Sequence, residues 1–231
     1  MNRLIGFDTE TTGIDIKRAR IVEIALVTRT INQNEVEDDI NSWIVNPDVK
    51  IPDEVIKIHG ISNEIAQSQG RDAKESVDKL ANILCDAQKN GDKIVIYNAG
   101  YDLGILHYEL KRYELPSMEE RLGGPLVNVI DPFALDRVLD KDRKGSRKLV
   151  NLLDVYKVEY TSQLHHAAVD AQMTLDILEQ IFIRYPEIAM MSNQELFDFQ
   201  KDGVFKFVTN RNEWARRHGY SEYSPTWISR V

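Results

Sequence analysis

Cysteine is almost missing from this chain: Cys85 stands alone among 231 residues. One thiol excludes an intrachain disulfide and a cysteine-rich zinc site. It fits a reducing compartment, so the expected location is cytoplasmic. The N-terminal region has no apolar run long enough for a signal peptide, and no stretch approaches the roughly 20 residues of a membrane-spanning helix. Internal repeats and low-complexity linkers are absent too. Positive charge is in short supply, with 29 Lys and Arg against 37 Asp and Glu and a formal net charge of −8. That balance argues against coating long nucleic acid by bulk attraction, which needs cations to neutralise phosphates. It leaves open a site that grips a short end through metal ions. The remainder is an ordinary globular mixture, 42% apolar and 29% charged. It is long enough to bury a sizeable core as one large domain, or as one domain with an extension.

What the chain does have is Leu4-Ile5-Gly6-Phe7-Asp8-Thr9-Glu10, an apolar run ending in two carboxylates one residue apart. In a strand, residues i and i+2 face the same way. Asp8 and Glu10 therefore project side by side and repel unless a cation lies between them. Further carboxylates are needed to complete a site for hard divalent cations. Asp102, in Asn98-Ala99-Gly100-Tyr101-Asp102, and Asp170, in His165-His166-Ala167-Ala168-Val169-Asp170-Ala171, are the candidates. Each lies near the start of an expected helix, where the macrodipole alone would also favour an acid. His165 and His166 compete as a proton acceptor placed in the loop before the last of these helices.

Apolar periodicity predicts strands over residues 4–8, 20–29 and 41–45, the last ended by Pro47, with the acidic stretch 35–39 as a solvated hairpin turn. Helix 72–87, strand 93–97, helix 101–113, strand 126–130, helices 132–139 and 149–156 and a long helix over 166–184 follow. Three strands and then alternating helices and strands imply an α/β fold, a mixed sheet flanked by helices. Beyond Pro186, Leu196, Phe199, Gly203, Phe207 and Trp214 recur at helical spacing over 193–218, with Gly203 marking a place for a break. The division expected is a domain over 1–184 and a helical extension over 185–231 that buries this stripe on it.

The three acidic motifs, in this order and spacing, resemble the DEDDh (DnaQ-like) family of 3′–5′ exonucleases. That family includes polymerase proofreading subunits, ribonuclease T and oligoribonuclease. Arg20-Ile21-Val22-Glu23-Ile24-Ala25 and the segment from Pro52 to His59-Gly60-Ile61 extend the likeness, which covers roughly residues 1–184. The resemblance implies a ribonuclease H-like fold with a five-stranded mixed sheet. It implies hydrolysis of terminal phosphodiesters of single-stranded DNA with release of nucleoside 5′-monophosphates. Two divalent ions, Mg²⁺ or Mn²⁺, are implied, one held by Asp8, Glu10 and Asp170 and the other mainly by Asp8. Asp102 acts largely through water, and His165, rather than His166, is the general base. Thr11, Thr12 and Gly13 are expected against the terminal nucleotide through backbone N–H groups. Glu54, His59, Asn98 and Tyr101 are further candidates for substrate contact, with Tyr101 and His59 as candidates for base stacking; Phe7 lies nearby but reads as core.

The resemblance also carries alternatives. An exoribonuclease differs only in how the 2′-hydroxyl is treated, and a non-catalytic nucleic-acid-binding or polymerase-accessory module would keep the fold. The dense basic cluster Lys141, Arg143, Lys144, Arg147 and Lys148 is either a phosphate contact or a solvated loop. Gln194-Glu195-Leu196-Phe197-Asp198-Phe199 is similar to sliding-clamp-binding peptides, with Glu195 a poor fit. No Gln/Pro-rich linker to a polymerase-binding tail is present.

Overall fold

The computed structural model describes residues 2–32, 35–160, 166–224 and 227–228. Strands β1 (Asn2–Thr11), β2 (Ile21–Asn32) and β3 (Glu35–Ile44) form an antiparallel meander. Helices α1 (Asp53–His59), α2 (Asn63–Gln69) and α3 (Ala73–Lys89) lead to β4 (Lys93–Val95) and α4 (Ala99–Arg112). Then come α5 (Met118–Leu122), β5 (Val129–Ile130), α6 (Pro132–Leu139), α7 (Leu149–Tyr156) and α8 (Ala167–Arg184). The short α9 (Pro186–Ala189) and the long α10 (Asn193–His218) complete the order. The sheet runs β3-β2-β1-β4-β5, with β1, β4 and β5 parallel. This is the five-stranded mixed sheet flanked by helices that the motif order implied.

Strand alternation divides the core. Ile5 and Phe7 of β1 pack with Leu80, Leu84, Leu103 and Leu106 of α3 and α4 on one face. Leu4, with Val27 and Val95, packs against Leu175 and Leu178 of α8 on the other. Gly6 lies on the α8 side, where a methyl group would stand 2.9 Å from the Ala171 carbonyl oxygen and 3.0 Å from Leu175 Cγ. The missing side chain is what lets α8 approach β1 closely.

Several boundaries differ from the periodic reading. β1 extends to Thr11, so Asp8 and Glu10 lie within the strand and not at its end. β4 pairs only with Leu4–Gly6, and the later residues of β1 project past it. Strands β4 and β5 are shorter than their apolar runs: Ile96, Leu126 and Asn128 are buried in connecting segments outside the ladder. The acidic stretch 35–39 is not a turn. It forms the first half of β3, an edge strand exposed along most of its length, where charge suits an unpaired edge. Asp38 sits directly opposite Arg29, whose Nε and Nη2 donate to it at 2.8 and 2.7 Å. The same guanidinium reaches Asp176 and Glu179 of α8, so one buried arginine ties β2, β3 and α8 together.

Helix α10 runs unbroken through Gly203. Of the expected stripe, Leu196 is buried, Phe199 packs against the core and Gly203 meets α6, whereas Trp214 is 44% exposed; the buried residues also include Gln200, Val208, Asn212 and Ala215. Two polar residues are among them because both are satisfied there. Gln200 Oε1 accepts from the Asp131 N–H and its amide donates to the Val129 carbonyl. Asn212 exchanges two hydrogen bonds with the Tyr223 backbone. At the start of α10, Ser192 and Glu195 form a reciprocal capping box. Glu195, the poor fit to a clamp peptide, is thus a capping residue, and Leu196 is buried beneath it.

Gly203 is a packing glycine: a methyl group there would lie 2.2 Å from Val138 Cγ2 of α6. Gly203→Ala is expected to destabilise the protein by about 1–3 kcal/mol through overpacking. In a Val138→Ala background the same change is expected to be neutral, or to stabilise by up to about 1 kcal/mol from helix propensity. Urea unfolding of the four proteins reads the coupling, and additivity would disprove the contact.

Candidate active site

The alternation of β1 also deals out the carboxylates. Asp8 and Glu10 face α8, which brings Asp170 from its first turn. One carboxylate oxygen from each of Asp8, Glu10 and Asp170 lies within 4.8 Å of the others. Thr9 points to the opposite side, toward α4. There its N–H and hydroxyl both donate to Asp102 Oδ1, at 3.2 and 2.6 Å. Asp102 is therefore held by β1 from the far side and stands outside the three-carboxylate cluster. This geometry suits contact with an ion through water better than direct ligation.

Electrostatics follow from that crowding. Burial, and then Asp102, Asp170 and Glu10, push the Asp8 carboxyl well above the usual range. Glu10 is raised to about 8 by burial and by Asp170, Glu23 and Asp102. Asp102 is raised to about 7 by burial, against the pull of the two Thr9 hydrogen bonds. Two unit charges at 4.8 Å repel by about 3–4 kcal/mol at an effective dielectric near 20. Among the described residues, no Lys or Arg forms an ion pair with Asp8 or Glu10. An all-oxygen donor set with this much unrelieved charge matches Mg²⁺ or Mn²⁺ in ligand chemistry. Ligand oxygens on one Mg²⁺ lie about 2.0–2.1 Å from it, so small side-chain rotations close the cluster on an ion.

Glu23 was not singled out from the sequence. It is the cross-strand partner of Glu10, and the Ala167 N–H at the start of α8 holds its carboxylate charge in place against burial. It thus adds negative charge beside Glu10 while fastening the helix that carries Asp170. The signal in the sequence was a lone acid in an otherwise apolar strand, Ile21 to Leu26. Asp131, 1% exposed, was also missed. It caps α6 through Phe133 and Ala134 N–H and accepts from Asn98 and Ala99 N–H at 2.9 and 3.1 Å. Trp227 Nε1 donates to it as well. This one carboxylate fixes the turn in which Asn98 takes a left-handed φ of 58° and from which α4 delivers Asp102.

The cleft, about 390 Å³, is lined by the four acids with Thr9, Tyr97, Asn98, Tyr101, Phe133, Arg147, Lys148 and Leu149. Tyr101 is tied inward: its phenol lies 2.7 Å from the Gly13 carbonyl oxygen and 2.6 Å from Thr11 Oγ1, and burial pushes it up to about 12. The Thr12 N–H is already given to the Arg20 carbonyl, and the Thr12 hydroxyl accepts from Arg20 N–H. That backbone donor is spent within the turn, contrary to the expectation of a nucleotide contact. A methyl group at Gly13 would meet nothing within 4 Å, so packing does not require glycine there. Glu54 is exposed in the first turn of α1 and does not line the cleft. His59 is buried, kept neutral by that burial; its Nδ1 accepts from Ile61 N–H, and its other nitrogen faces the Thr11 carbonyl without reaching hydrogen-bond geometry. Phe7 is core. In the basic cluster, Arg143 and Arg147 both donate to Asp136, which is wholly buried, so their charge is largely spent on the fold. His165 lies outside the described residues; His166 is the exposed N-cap of α8.

Comparison with known proteins gives the family and the fold. The RNase_T exonuclease family matches residues 5–178. The 3′–5′ exonuclease DinG of Bacillus subtilis is 27% identical over 231 residues, 96% of this chain but 23% of that protein. DNA polymerase III subunit epsilon of Rickettsia conorii is 31% identical over 185 residues, 78% of this chain and 73% of the relative. Among solved structures, Escherichia coli exonuclease I in complex with a dT13 oligonucleotide superposes with a TM-score of 0.65 at 16% identity, over 81% of this chain and 42% of that one. The exonuclease I of Methylocaldum szegediense gives 0.66 at 20% identity, over 90% and 46%. The chain thus spans under a quarter of the Bacillus protein and less than half of these two exonucleases. At these identities their likeness concerns the fold alone. By its matched segment and its relatives, the chain belongs to the DnaQ-like exonuclease family.

Proposed function

We propose that this chain removes nucleotides from the 3′ end of single-stranded DNA by hydrolysis, releasing nucleoside 5′-monophosphates, with two Mg²⁺ or Mn²⁺ ions. The observation that supports it is the convergence of Asp8, Glu10 and Asp170, with no Lys or Arg ion-paired to Asp8 or Glu10 among the described residues, in a cleft also lined by Tyr97, Tyr101 and Phe133. Bound divalent ions supply Lewis-acid charge and lower the pKa of a ligated water. Asp8, Glu10 and Asp170 would hold the ions, with Asp8 the carboxylate placed to serve both. Asp102 orients water from the α4 side. His165 takes the proton from the attacking water. Tyr97 and Phe133, 5.8 Å apart between ring centroids, offer faces to an unpaired base. A duplex end must fray to enter, so single strands are the favoured substrate. A cytoplasmic site of action fits the single unpaired Cys85.

Digestion of 5′-labelled DNA and RNA of equal sequence, single-stranded and duplex, with Mn²⁺ tests the reading. Stepwise shortening of the single-stranded DNA from its 3′ end is expected. RNA digested in preference would replace the DNA assignment, and no digestion at all would overturn the activity. Asp8→Asn or Asp170→Asn is expected to lower turnover at least about 10³-fold. Metal-free Asp8→Asn is expected to melt above the parent at pH 9, because a buried like charge is gone.

The raised carboxyls set a pH dependence with a definite sign. Their folded-state pKa values lie above those of the unfolded chain, near 4.5 for Glu10. The stability they contribute is complete below about 4.5 and is lost as pH rises through about 8. The metal-free melting temperature is expected to fall between pH 6 and 9, and saturating Mn²⁺ is expected to remove most of that fall. Calorimetry at pH 7 in buffers of different ionisation heat is expected to show proton release on Mn²⁺ binding. A melting profile without slope and no proton release would remove the shared metal site.

A further inference from the structure

We propose that a track of aromatic and guanidinium side chains, running from the cleft along α6 and α10, carries the single-stranded nucleic acid upstream of the cleaved end. This inference rests on the nuclease reading above and extends it to a second, distal binding surface. The track begins at Phe133, which lines the cleft beside Tyr97. One turn further along α6, the Arg137 guanidinium lies 4.4 Å from the Phe133 ring centroid and 4.1 Å from that of Phe207 on α10. One turn beyond Phe207, Arg211 lies 4.6 Å from the Trp214 centroid and 5.0 Å from that of Tyr223. Tyr223 is also close enough to Arg137 to interact with it electrostatically, so the two arginines share a neighbour. Trp214 stacks on Tyr220 at 5.1 Å with an interplanar angle of 16°. This far end is open, with Trp214 44%, Tyr223 50% and Tyr220 59% exposed.

Charge separates this track from ordinary packing. In an acidic protein most partly buried arginines are matched to carboxylates. Arg29 has Asp38, Asp176 and Glu179, and Arg143 and Arg147 have Asp136. On α10 itself, Arg216 and Arg217 pair with Glu222 and Glu213. Arg137 and Arg211 form no ion pair among the described residues, and each keeps a buried N–H without a hydrogen-bond partner, Nε and Nη1 respectively. Asp131 and Asp136 act on Arg137 from a distance, and Arg147 opposes them. Two guanidiniums without an ion pair among the described residues, set among rings that are partly buried near the cleft and exposed at the far end, form a surface suited to a single strand: phosphates meet cations, and bases of any sequence stack on π faces. A protein partner would use the same rings but would not need two such arginines along a path into the cleft.

The test compares the parent protein with Arg211→Ala/Trp214→Ala on a dinucleotide and on a 16-nucleotide single-stranded DNA, both with Mn²⁺. Affinity for the 16-mer is measured separately by fluorescence anisotropy in Ca²⁺. KM for the 16-mer is expected to rise about tenfold or more, so that the ratio of kcat/KM between 16-mer and dinucleotide falls by a similar factor. Trp214→Phe, which keeps a π face, is expected to recover most of the loss. Arg211→Gln is expected to flatten the log–log salt dependence of 16-mer affinity by about 0.7. An unchanged 16-mer KM in the folded double variant overturns the track, as does equal loss on both substrates, which would mean a structural role only. If the double variant melts early, Arg211→Gln and Trp214→Phe decide the matter through the salt slope and the 16-mer KM. A parent that binds the 16-mer through these residues but cleaves neither substrate would overturn the nuclease activity and leave the track standing.

Discussion

The structure is organised around a repulsion. Three carboxylates within 4.8 Å of one another are a poor choice for any fold that has no use for a cation. The repulsive energy of about 3–4 kcal/mol per ionised pair is a large part of the 5–15 kcal/mol net stability typical of a domain. The chain tolerates it because the elements that bear these acids are fastened elsewhere. β1 is paired on both sides, to β2 along its whole length and to β4 through Leu4–Gly6. α8 is held to the sheet by the close approach at Gly6, by the Arg29 bridges to Asp176 and Glu179, and by Glu23 at its first turn. Each fastening lies within a few residues or turns of an acid, so the repulsion cannot relax by moving a helix. It relaxes by taking up protons or a metal.

The same logic accounts for the position of Asp102. Of the neighbouring charges Asp102 acts most strongly on Asp8, so it deepens the repulsion. Thr9 offsets part of this by presenting two donors from the reverse face of β1, which keep Asp102 buried and oriented outside the three-carboxylate cluster. Asp131 does for the backbone what Thr9 does for the side chain. By accepting from Asn98 and Ala99 N–H, it stabilises the left-handed residue at which β4 turns into α4. Asn tolerates that conformation better than most residues with a side chain.

Much of this was legible because it depends on local rules. The i, i+2 relation of Asp8 and Glu10, the helical stripe of α3 and the limits of α6 and α7 follow from period. The acidic stretch of β3 was misread because four acids within five residues, broken only by Val36, resemble a turn. Its role depends on Arg29, nine residues from Asp38 in sequence and directly opposite in the ladder. The buried side of α10 was misread for a related reason. Hydrophobic period picks Phe207 and Trp214, whereas Gln200 and Asn212 are inside because distant backbone groups satisfy them. Thr9, Glu23 and Asp131 were invisible on the same account. Each acts by a hydrogen bond or a charge across the fold, and no spacing in the chain announces its partner.

Those long-range bonds make α10 more than an appendage. Gln200 takes the N–H of Asp131 and gives its own amide hydrogen to Val129, so the long helix completes the edge of β5 at the residue that steadies Asn98. Trp227 reaches the same carboxylate from beyond α10, and its backbone oxygen would stand 2.4 Å from a methyl group at Gly100. The turn before Asp102 is therefore packed from one side by the sheet and from the other by the C-terminal segment. Residues past the matched family segment thus support the geometry of the second acidic motif. The contact is made by the first half of α10, through Leu196 and Gln200. Arg211 and Trp214 lie about three and four turns further along the same helix, and Trp214 is exposed because the helix has by then run past the part of the sheet that Gln200 meets.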